Sequence, residues 1–137
     1  TATRQCVPMF DHYCAFLRNS VGPGNYAAFI SCVCCAFIVC VALSISAIRL
    51  SWLHWMLEVV AAYFIVAASL LGALLGFQTV LNVLGLTTYE MLQFARRRPV
   101  PYLLDEKGCY QNPYNRGFLR NFWARFSGDY SDTMRSA

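Results

Sequence analysis

Two long runs without a charged residue constrain this chain more than any other feature of its sequence. No Asp, Glu, Lys or Arg occurs from Tyr26 to Ile48 or from Val59 to Tyr89. Each run exceeds the ~20 apolar residues that an α-helix needs to cross a hydrocarbon core of ~30 Å. Lipid offers no hydrogen-bond partner to the backbone, so each run must satisfy its own N–H groups as a helix. The sequence therefore predicts an α-helical, multi-pass membrane protein with two transmembrane helices in this chain.

The composition argues against an ordinary soluble domain. Charged residues make up 13% of the chain and hydrophobic residues 58%, whereas soluble domains carry about 25% charged residues. The formal net charge is +4. A positive surface of this size suits contact with anionic membrane lipids and requires no nucleic acid.

The distribution of positive charge predicts the orientation of the two helices. Of the eleven Lys and Arg residues, eight follow the second run, Arg4 and Arg18 precede the first, and only Arg49 lies between them. Positively charged flanks stay in the cytosol. The predicted segments are therefore 1–25, an irregular cytosolic loop that contains cysteines; 26–50, a transmembrane helix; 51–58, a lumenal or extracytosolic loop; 59–86, a second transmembrane helix; and 87–137, a cytosolic C-terminal region.

The chain begins inside a polar, cysteine-containing segment and not with the pattern of a signal peptide. We therefore expect it to be a fragment of a longer protein. The sequence does not identify the organelle.

A short polar run before the first helix carries the residues best suited to chemistry. In an extended backbone, side chains two residues apart lie on one face. His12 can then act as the base for the Cys14 thiol, while Asp11 orients the imidazole, which is the arrangement of nucleophile, base and orienting group found in covalent catalysis. Taken alone, the His-x-Cys spacing also fits two ordinary residues at the membrane interface. The position of Cys14, about a dozen residues before the first helix, places its sulfur near the lipid headgroups.

Three sequence blocks stand in a fixed order around the two apolar runs. They are Asp11-His12-Tyr13-Cys14 with Asn19-Ser20-Val21-Gly22, Asn25 and Phe29; Thr87-Thr88-Tyr89-Glu90; and Asn112-Pro113-Tyr114-Asn115-Arg116-Gly117 with Asn121 and Phe126. Together they resemble the core, the Thr-Thr-x-Glu motif and the Asn-Pro-x-x-x-Gly-x-x-x-Asn element of the DHHC-type protein S-acyltransferases (palmitoyltransferases). The run at Cys14 is a DHYC variant that is similar to certain fungal members. By this resemblance, segment 1–25 is the C-terminal half of a DHHC-type cysteine-rich catalytic segment.

The resemblance implies an enzyme that transfers acyl groups in two steps. Cys14 would attack the thioester of palmitoyl-CoA or another long-chain acyl-CoA and hold the acyl group. It would then pass this group to a cytosolic cysteine of a substrate protein. His12 would act as the base and Asp11 would orient it.

The resemblance also implies supporting roles for residues outside this triad. Thr88 would hydrogen-bond the Asp11–His12 pair from the end of the second helix, and Glu90 would hold nearby polar or basic groups. Asn121 would hold the C-terminal segment against the membrane helices. The acyl chain would lie between helices, with Phe16 and Phe29 among the residues that line its pocket.

Three departures from the family pattern concern zinc. The second histidine of the family is Tyr13 here, one cysteine is Ser20, and another is Thr3. In the family these positions ligate one zinc ion, so that site is predicted to be lost as a unit. Cys6 matches a ligand of a second zinc, whose partners would lie outside this chain. The sequence therefore predicts zinc at one site only.

These departures leave a second hypothesis open. A catalytically inactive member of the family would serve as a membrane scaffold or interaction fragment, with the altered motif shaping a binding surface only. Because Asp11, His12 and Cys14 are all present, the sequence favours the enzyme.

Overall fold

A computed structural model of the protein describes residues 9–98, 100–104, 106–107, 109, 111–112 and 115–128. In this part of the chain the fold is mostly helical. Two strands, β1 (His12–Cys14) and β2 (Asn19–Val21), precede four helices: α1 (Tyr26–Leu50), α2 (Met56–Leu84), α3 (Thr88–Ala95) and α4 (Phe118–Ser127). Short 3-10 turns span Ser51–Leu53 and Pro101–Leu103.

Helices α1 and α2 are long and apolar enough to cross a membrane. The core helix of a soluble protein can have the same length and composition, but it is mostly buried. Only 17% of the most apolar window of α1 and 11% of that of α2 is buried. The helical fold class with two candidate membrane spans is therefore confirmed.

The bounds of α2 differ from the predicted span of 59–86. The helix begins at Met56, so that Glu58 lies in its first turn, where a negative charge interacts favourably with the helix dipole. It ends at Leu84 because Gly85 adopts the left-handed region with φ +65°. The Gly85 N–H donates to Asn82 O at 3.3 Å and the Leu86 N–H donates to Leu81 O at 3.0 Å, the pattern of a Schellman motif.

The segment before α1 was predicted to be irregular, and this is wrong for residues 12–21. β1 and β2 form an antiparallel hairpin in which His12 pairs with Val21, Tyr13 with Ser20 and Cys14 with Asn19. Alternate residues of β1 face opposite sides of the hairpin: His12 and Cys14 are half-buried, whereas Tyr13 is exposed.

The chain divides into two compact units. One comprises residues 1–27 and 78–137, and the other comprises Ala28–Phe77. The apolar core of the first unit consists of Leu81, Leu86 and Leu103, against which Met91, Phe94 and Val100 pack. Leu81 and Leu86 are also joined by one of the two hydrogen bonds of the Schellman motif, so the end of α2 and the core of this unit form together.

Candidate active site

Asp11 takes part in several hydrogen bonds that join the hairpin to α3. One carboxylate oxygen, Oδ2, lies 2.7 Å from His12 Nδ1 and accepts the hydroxyl hydrogen bond of Thr88 at 2.8 Å. The other oxygen, Oδ1, accepts the backbone N–H of Thr88 at 2.8 Å. The Asp11 N–H donates to Val21 O at 3.0 Å, which extends the ladder of the hairpin by one bond. The carboxylate, directly before β1, is therefore held by His12 on one side and by Thr88 on the other.

The turn between α2 and α3 presents Thr88 to Asp11. Thr87 caps α3, since its hydroxyl accepts the Glu90 N–H at 3.2 Å while Glu90 Oε2 accepts the Thr87 N–H at 2.7 Å. This reciprocal pair is a capping box and satisfies two N–H groups at the start of the helix. The N–H of Thr88, also in the first turn, is then directed at Asp11, where the helix dipole favours a negative charge.

The environment of Asp11 favours its ionised form. Burial by itself would raise the pKa of this carboxyl, which is 3% exposed. The hydrogen bond with His12, the two bonds from Thr88 and the charge of Arg125 together outweigh burial and hold the pKa below the ordinary value of 3.8. An ionised carboxylate only accepts hydrogen bonds, so His12 Nδ1 is the donor and Nε2 is the basic nitrogen of the ring.

Cys14 stands two residues after His12 on the same strand. Side chains at alternate positions of a strand share one face, so His12 and Cys14 lie on the same side of the hairpin. Cys14 is a half-buried free thiol at the end of β1, directly before the four-residue loop 15–18. The structure thus places a thiol, an imidazole and a buried carboxylate along four consecutive residues.

A series of hydrogen bonds within the same unit leads to the carboxylate from buried polar residues of the helices. Asn82 Nδ2 donates to the Tyr26 hydroxyl at 3.0 Å, and that hydroxyl donates to Gln78 Oε1 at 3.2 Å. Gln78 Nε2 in turn donates to Thr88 Oγ1 at 3.4 Å, and Thr88 donates to Asp11. Every bond in this donor series points toward Asp11. Successive aligned donors polarise one another, so the series favours a negative charge at Asp11.

The asparagines of the third sequence block bind the end of α2. Asn121 Nδ2 donates to Asn82 O at 3.0 Å, while its Oδ1 accepts the Arg116 N–H at 2.9 Å. Asn112 Nδ2 donates to Leu84 O at 2.9 Å and to Gly85 O at 3.1 Å. The last carbonyls of a helix lack partners within the helix, and these two side chains supply them.

The remaining predicted site residues are placed as follows. Thr88 is the first residue of a separate helix, α3, which begins four residues after α2 ends. Its described bonds are to Asp11 and Gln78. Glu90 binds the backbone of Thr87. Phe16 is fully exposed in the hairpin loop, whereas Phe29 in α1 is 5% exposed. Cys6 lies outside the described residues, and the acyl-binding role of the two phenylalanines stays a prediction.

Four residues of the site were not predicted: Tyr26, Gln78, Asn82 and Arg125. Polar side chains inside an apolar helix are rare and functional as a rule, so Gln78 and Asn82 could have been found at the end of the second apolar run. Arg125 follows Asn121 by four residues, the spacing that places two side chains on one helix face. Both are buried, with exposed fractions of 7% each.

The described positions of the first zinc site do not fit the metal. Tyr13 and Ser20 stand directly opposite each other in the hairpin, and neither offers the thiolate, imidazole or carboxylate that zinc prefers. Within residues 9–98 and the described parts of 100–128, no cluster of three His, Cys, Asp or Glu side chains could hold a metal ion. The hairpin instead receives support from Asn25, whose side chain accepts the Gly22 N–H at 2.9 Å and donates to Ser20 O at 2.9 Å.

Comparison with known proteins identifies relatives over most of the chain. The sequence model of the DHHC palmitoyltransferase family matches residues 1–95. A probable protein S-acyltransferase 1 of Arabidopsis thaliana is 30% identical over 125 residues, covering 85% of this chain and 35% of the relative. Palmitoyltransferase ZDHHC8 of Drosophila melanogaster is 28% identical over 134 residues, covering 94% of this chain and 14% of the relative.

A third relative, the probable protein S-acyltransferase 3 of Arabidopsis thaliana, is 26% identical over 131 residues, covering 85% of this chain and 28% of its own length. The chain thus spans about a third of the length of these curated relatives or less. No solved structure matches it.

Proposed function

The chain belongs to the DHHC palmitoyltransferase family, and from this premise we propose that it carries the catalytic centre of a palmitoyl-CoA:protein-cysteine S-acyltransferase. The acyl group passes through a thioester on Cys14 to cysteines of substrate proteins. The observation that carries the proposal is the 2.7 Å bond between Asp11 and His12 Nδ1. His12 shares one face of β1 with the Cys14 thiol. The bond makes Nδ1 the donor to Asp11 and assigns proton transfer to the other ring nitrogen, Nε2.

In the first step, His12 Nε2 takes the proton of the Cys14 thiol as the sulfur attacks the thioester carbonyl of acyl-CoA. A bond forms between the Cys14 sulfur and the acyl carbon, and the bond from that carbon to the CoA sulfur breaks. The departing CoA thiolate receives the proton from the His12 imidazolium. The products are an acyl-enzyme and free CoA, and His12 is again neutral.

In the second step, the thiol of a substrate cysteine gives its proton to His12 and attacks the acyl carbon. The bond from that carbon to the Cys14 sulfur breaks, and Cys14 recovers the proton from His12. Asp11 stays ionised through both steps and stabilises the imidazolium that forms in each. The hydrogen bonds from Thr88 and the donor series are expected to hold Asp11 in this state.

The membrane arrangement is part of the proposal. Segments 26–50 and 59–86 span the bilayer, 51–58 lies on the lumenal or extracytosolic side, and 1–25 and 87–137 lie in the cytosol. The excess of Lys and Arg after the second helix supports this orientation, as do the exposed side chains of Trp52 and Trp55 at 80% and 67%, since tryptophan prefers the membrane interface.

A lipid substrate suits a site whose unit includes the end of α2 and the first residues of α1. Each methylene buried in an apolar environment contributes about 0.8 kcal/mol, so a long acyl chain binds firmly only where it is removed from water. We propose that Phe16 and Phe29 line this chain. Phe16 follows Cys14 by two residues, and its exposed ring is suited to contact lipid or the acyl group.

The residues at the zinc positions support a finer classification. We infer that this is a DHYC-type member, similar to fungal ones, in which the hairpin around Cys14 is held by its backbone ladder and by Asn25 in place of the first zinc. Cys6 and partners outside the chain would hold the second.

The same departures favour the second candidate function, an inactive membrane scaffold. In a scaffold the altered motif would shape a surface for other proteins, and Cys14 would not carry an acyl group. The ionised, fourfold-contacted Asp11 argues against this alternative, because a buried carboxylate serves no purpose in a surface for docking and is costly to retain.

One experiment separates the two functions. The full-length protein is incubated with an alkyne analogue of palmitoyl-CoA, and the label is tested for release by neutral hydroxylamine, which cleaves thioesters. If the protein is the proposed enzyme, hydroxylamine should release the label. The label should be lost in Cys14→Ser and retained in the matched control Cys109→Ser, since Cys109 is an exposed cysteine of the same unit. A label that persists unchanged in Cys14→Ser would favour the scaffold.

A further inference from the structure

Arg125 on α4 reaches three other segments of its unit. Its Nη2 donates to Leu86 O and lies 3.7 Å from Asp11 Oδ1. The guanidinium carbon stands 5.2 Å from the centre of the Tyr26 ring, within the distance at which a cation is attracted to an aromatic face. One side chain therefore joins the C-terminal helix to the turn after α2, to the start of α1 and to the candidate active site.

The burial of Arg125 is costly for the fold. The residue is 7% exposed, and its Nη1 has no hydrogen-bond partner among the described residues. A buried charge with incomplete partners destabilises a protein, and an apolar side chain of similar size often replaces it without loss of stability. Packing alone therefore does not account for an arginine here.

The charge of Arg125 is directed at the candidate active site. The other groups around the Asp11 carboxylate are His12 on β1 and Thr88 on α3, both of which donate to it. Seven described residues line a small cavity beside it, Asp11 and Tyr26 among them, and of these seven only Arg125 carries a permanent positive charge. The Arg125 charge is also among the causes that lower the pKa of Asp11.

We propose that Arg125 is a positioning residue that fixes the Asp11 carboxylate for His12, and that it thereby makes the acylation of Cys14 depend on the docking of α4. The inference rests on the proposed acyltransferase function. It assigns a role in the reaction to α4, the helix whose Asn121 also binds the end of α2. When α4 leaves its place, Asp11 loses the Arg125 charge beside it and His12 loses part of its support.

The test uses the full-length protein in detergent and measures the rate of Cys14 acylation by palmitoyl-CoA. Arg125→Met removes the charge and keeps an apolar stem, Arg125→Gln keeps a donor for Leu86 O without charge, and Arg125→Lys keeps the charge. The matched control is Arg120→Met, because Arg120 is an exposed arginine on the same helix. Rates are divided by the final amount of hydroxylamine-labile label, so that unfolded molecules do not count.

Both neutral variants are expected to slow acylation at saturating palmitoyl-CoA by about 10- to 100-fold, as misplacement of a supporting group does. The palmitoyl-CoA concentration for half-maximal rate stays unchanged, because Arg125 does not touch the substrate. The acid limb of the pH–rate profile moves to higher pH in the neutral variants, because a proton binds the hydrogen-bonded Asp11–His12 pair more easily once the neighbouring cation is removed. Arg125→Lys recovers most of the rate and the wild-type acid limb, and Arg120→Met behaves as wild type.

Normalised rates and pH profiles of Arg125→Met and Arg125→Gln equal to those of wild type would overturn the inference and leave the acyltransferase standing. A variant that loses final label but keeps its normalised rate assigns Arg125 a purely structural role, which also overturns it. Arg125→Gln decides the outcome should Arg125→Met not fold. A wild-type protein without labile label instead contradicts the proposed function itself.

Discussion

The two units of the molecule use polar side chains in opposite ways. In Ala28–Phe77, Ser44 and Ser69 each donate to the carbonyl four residues earlier, so these bonds stay within one helix. In the unit of residues 1–27 and 78–137, Thr88 bonds a carboxylate 77 positions away and Asn121 a carbonyl 39 positions away. The unit Ala28–Phe77 needs composition and helix propensity, whereas the unit of residues 1–27 and 78–137 needs particular side chains at particular distances. Substitutions of the same kind should therefore have very different effects in the two units.

The two histidines of the chain give the largest contrast. His12→Ala removes the proposed base and is expected to lower the rate of Cys14 acylation by about 10²- to 10⁴-fold, the usual contribution of a general base. His54→Ala is the control, because His54 lies in the exposed turn between α1 and α2. It should leave the rate unchanged within experimental error. Acylation of His12→Ala at the wild-type rate would contradict the assignment of the base.

Glycine substitutions should change stability with opposite sign in the two units. At Gly85, φ is +65° and an added Cβ would lie 3.1 Å from the Asn115 Cα. Gly85→Ala is therefore expected to destabilise the protein by about 1–3 kcal/mol. At Gly76, within α2, an added Cβ meets no atom within 4 Å, so Gly76→Ala should stabilise it by about 0.5–1 kcal/mol. Unfolding in detergent, followed by circular dichroism, measures both.

A destabilisation of the same size in Gly85→Ala and Gly76→Ala would contradict the expected difference between the two units. The loss of stability in Gly85→Ala should be accompanied by a slower acylation of Cys14, because Gly85 lies between the side chains of Asn112 and Asn121 at the end of α2. Gly76→Ala should leave this rate unchanged.

The smallest expected effect is the pH dependence contributed by Asp11. Its pKa is lower in the folded protein than the ordinary value of 3.8, so ionised Asp11 stabilises the fold. This contribution is complete above the unfolded pKa and is lost as the pH falls through the lower, folded pKa. The melting temperature of wild type should therefore decrease more steeply below about pH 4 than that of Asp11→Asn.

The control for this measurement is Glu58→Gln in the other unit, since Glu58 is exposed at the start of α2. It should retain the steep wild-type decrease. An Asp11→Asn variant as sensitive to acid as wild type would show that Asp11 contributes nothing to stability in this range.

Hydropathy predicted the helical part of the fold because the signal is additive along the chain. The helix α1 covers Tyr26–Leu50, the same bounds as the predicted segment 26–50. The bounds of α2 differ from the predicted ones because single residues determine its ends. Glu58 is favourable in the first turn, and Gly85 ends the helix in a left-handed conformation. A hydropathy window averages over such single residues and cannot detect them.

The site could be predicted in part only. Asp11, His12 and Cys14 are neighbours in sequence, so their proximity required no knowledge of the fold. Arg125 and Gln78 reach Asp11 and Thr88 only after the helices have packed, and no local pattern encodes those distances. The β-hairpin was also missed, because two strands of three residues each give too short a period-two pattern to stand out from a polar loop.

The claim on which the whole account rests is that Cys14 carries the acyl group. The most direct measurement is peptide mass spectrometry of the full-length protein after brief incubation with palmitoyl-CoA, under conditions that preserve thioesters. The account predicts that the palmitoyl mass appears on the peptide that contains Cys14, is removed by hydroxylamine, and is lost when a substrate protein accepts the acyl group. Palmitate on Cys109 or on the helix cysteines, with Cys14 unmodified, would contradict it.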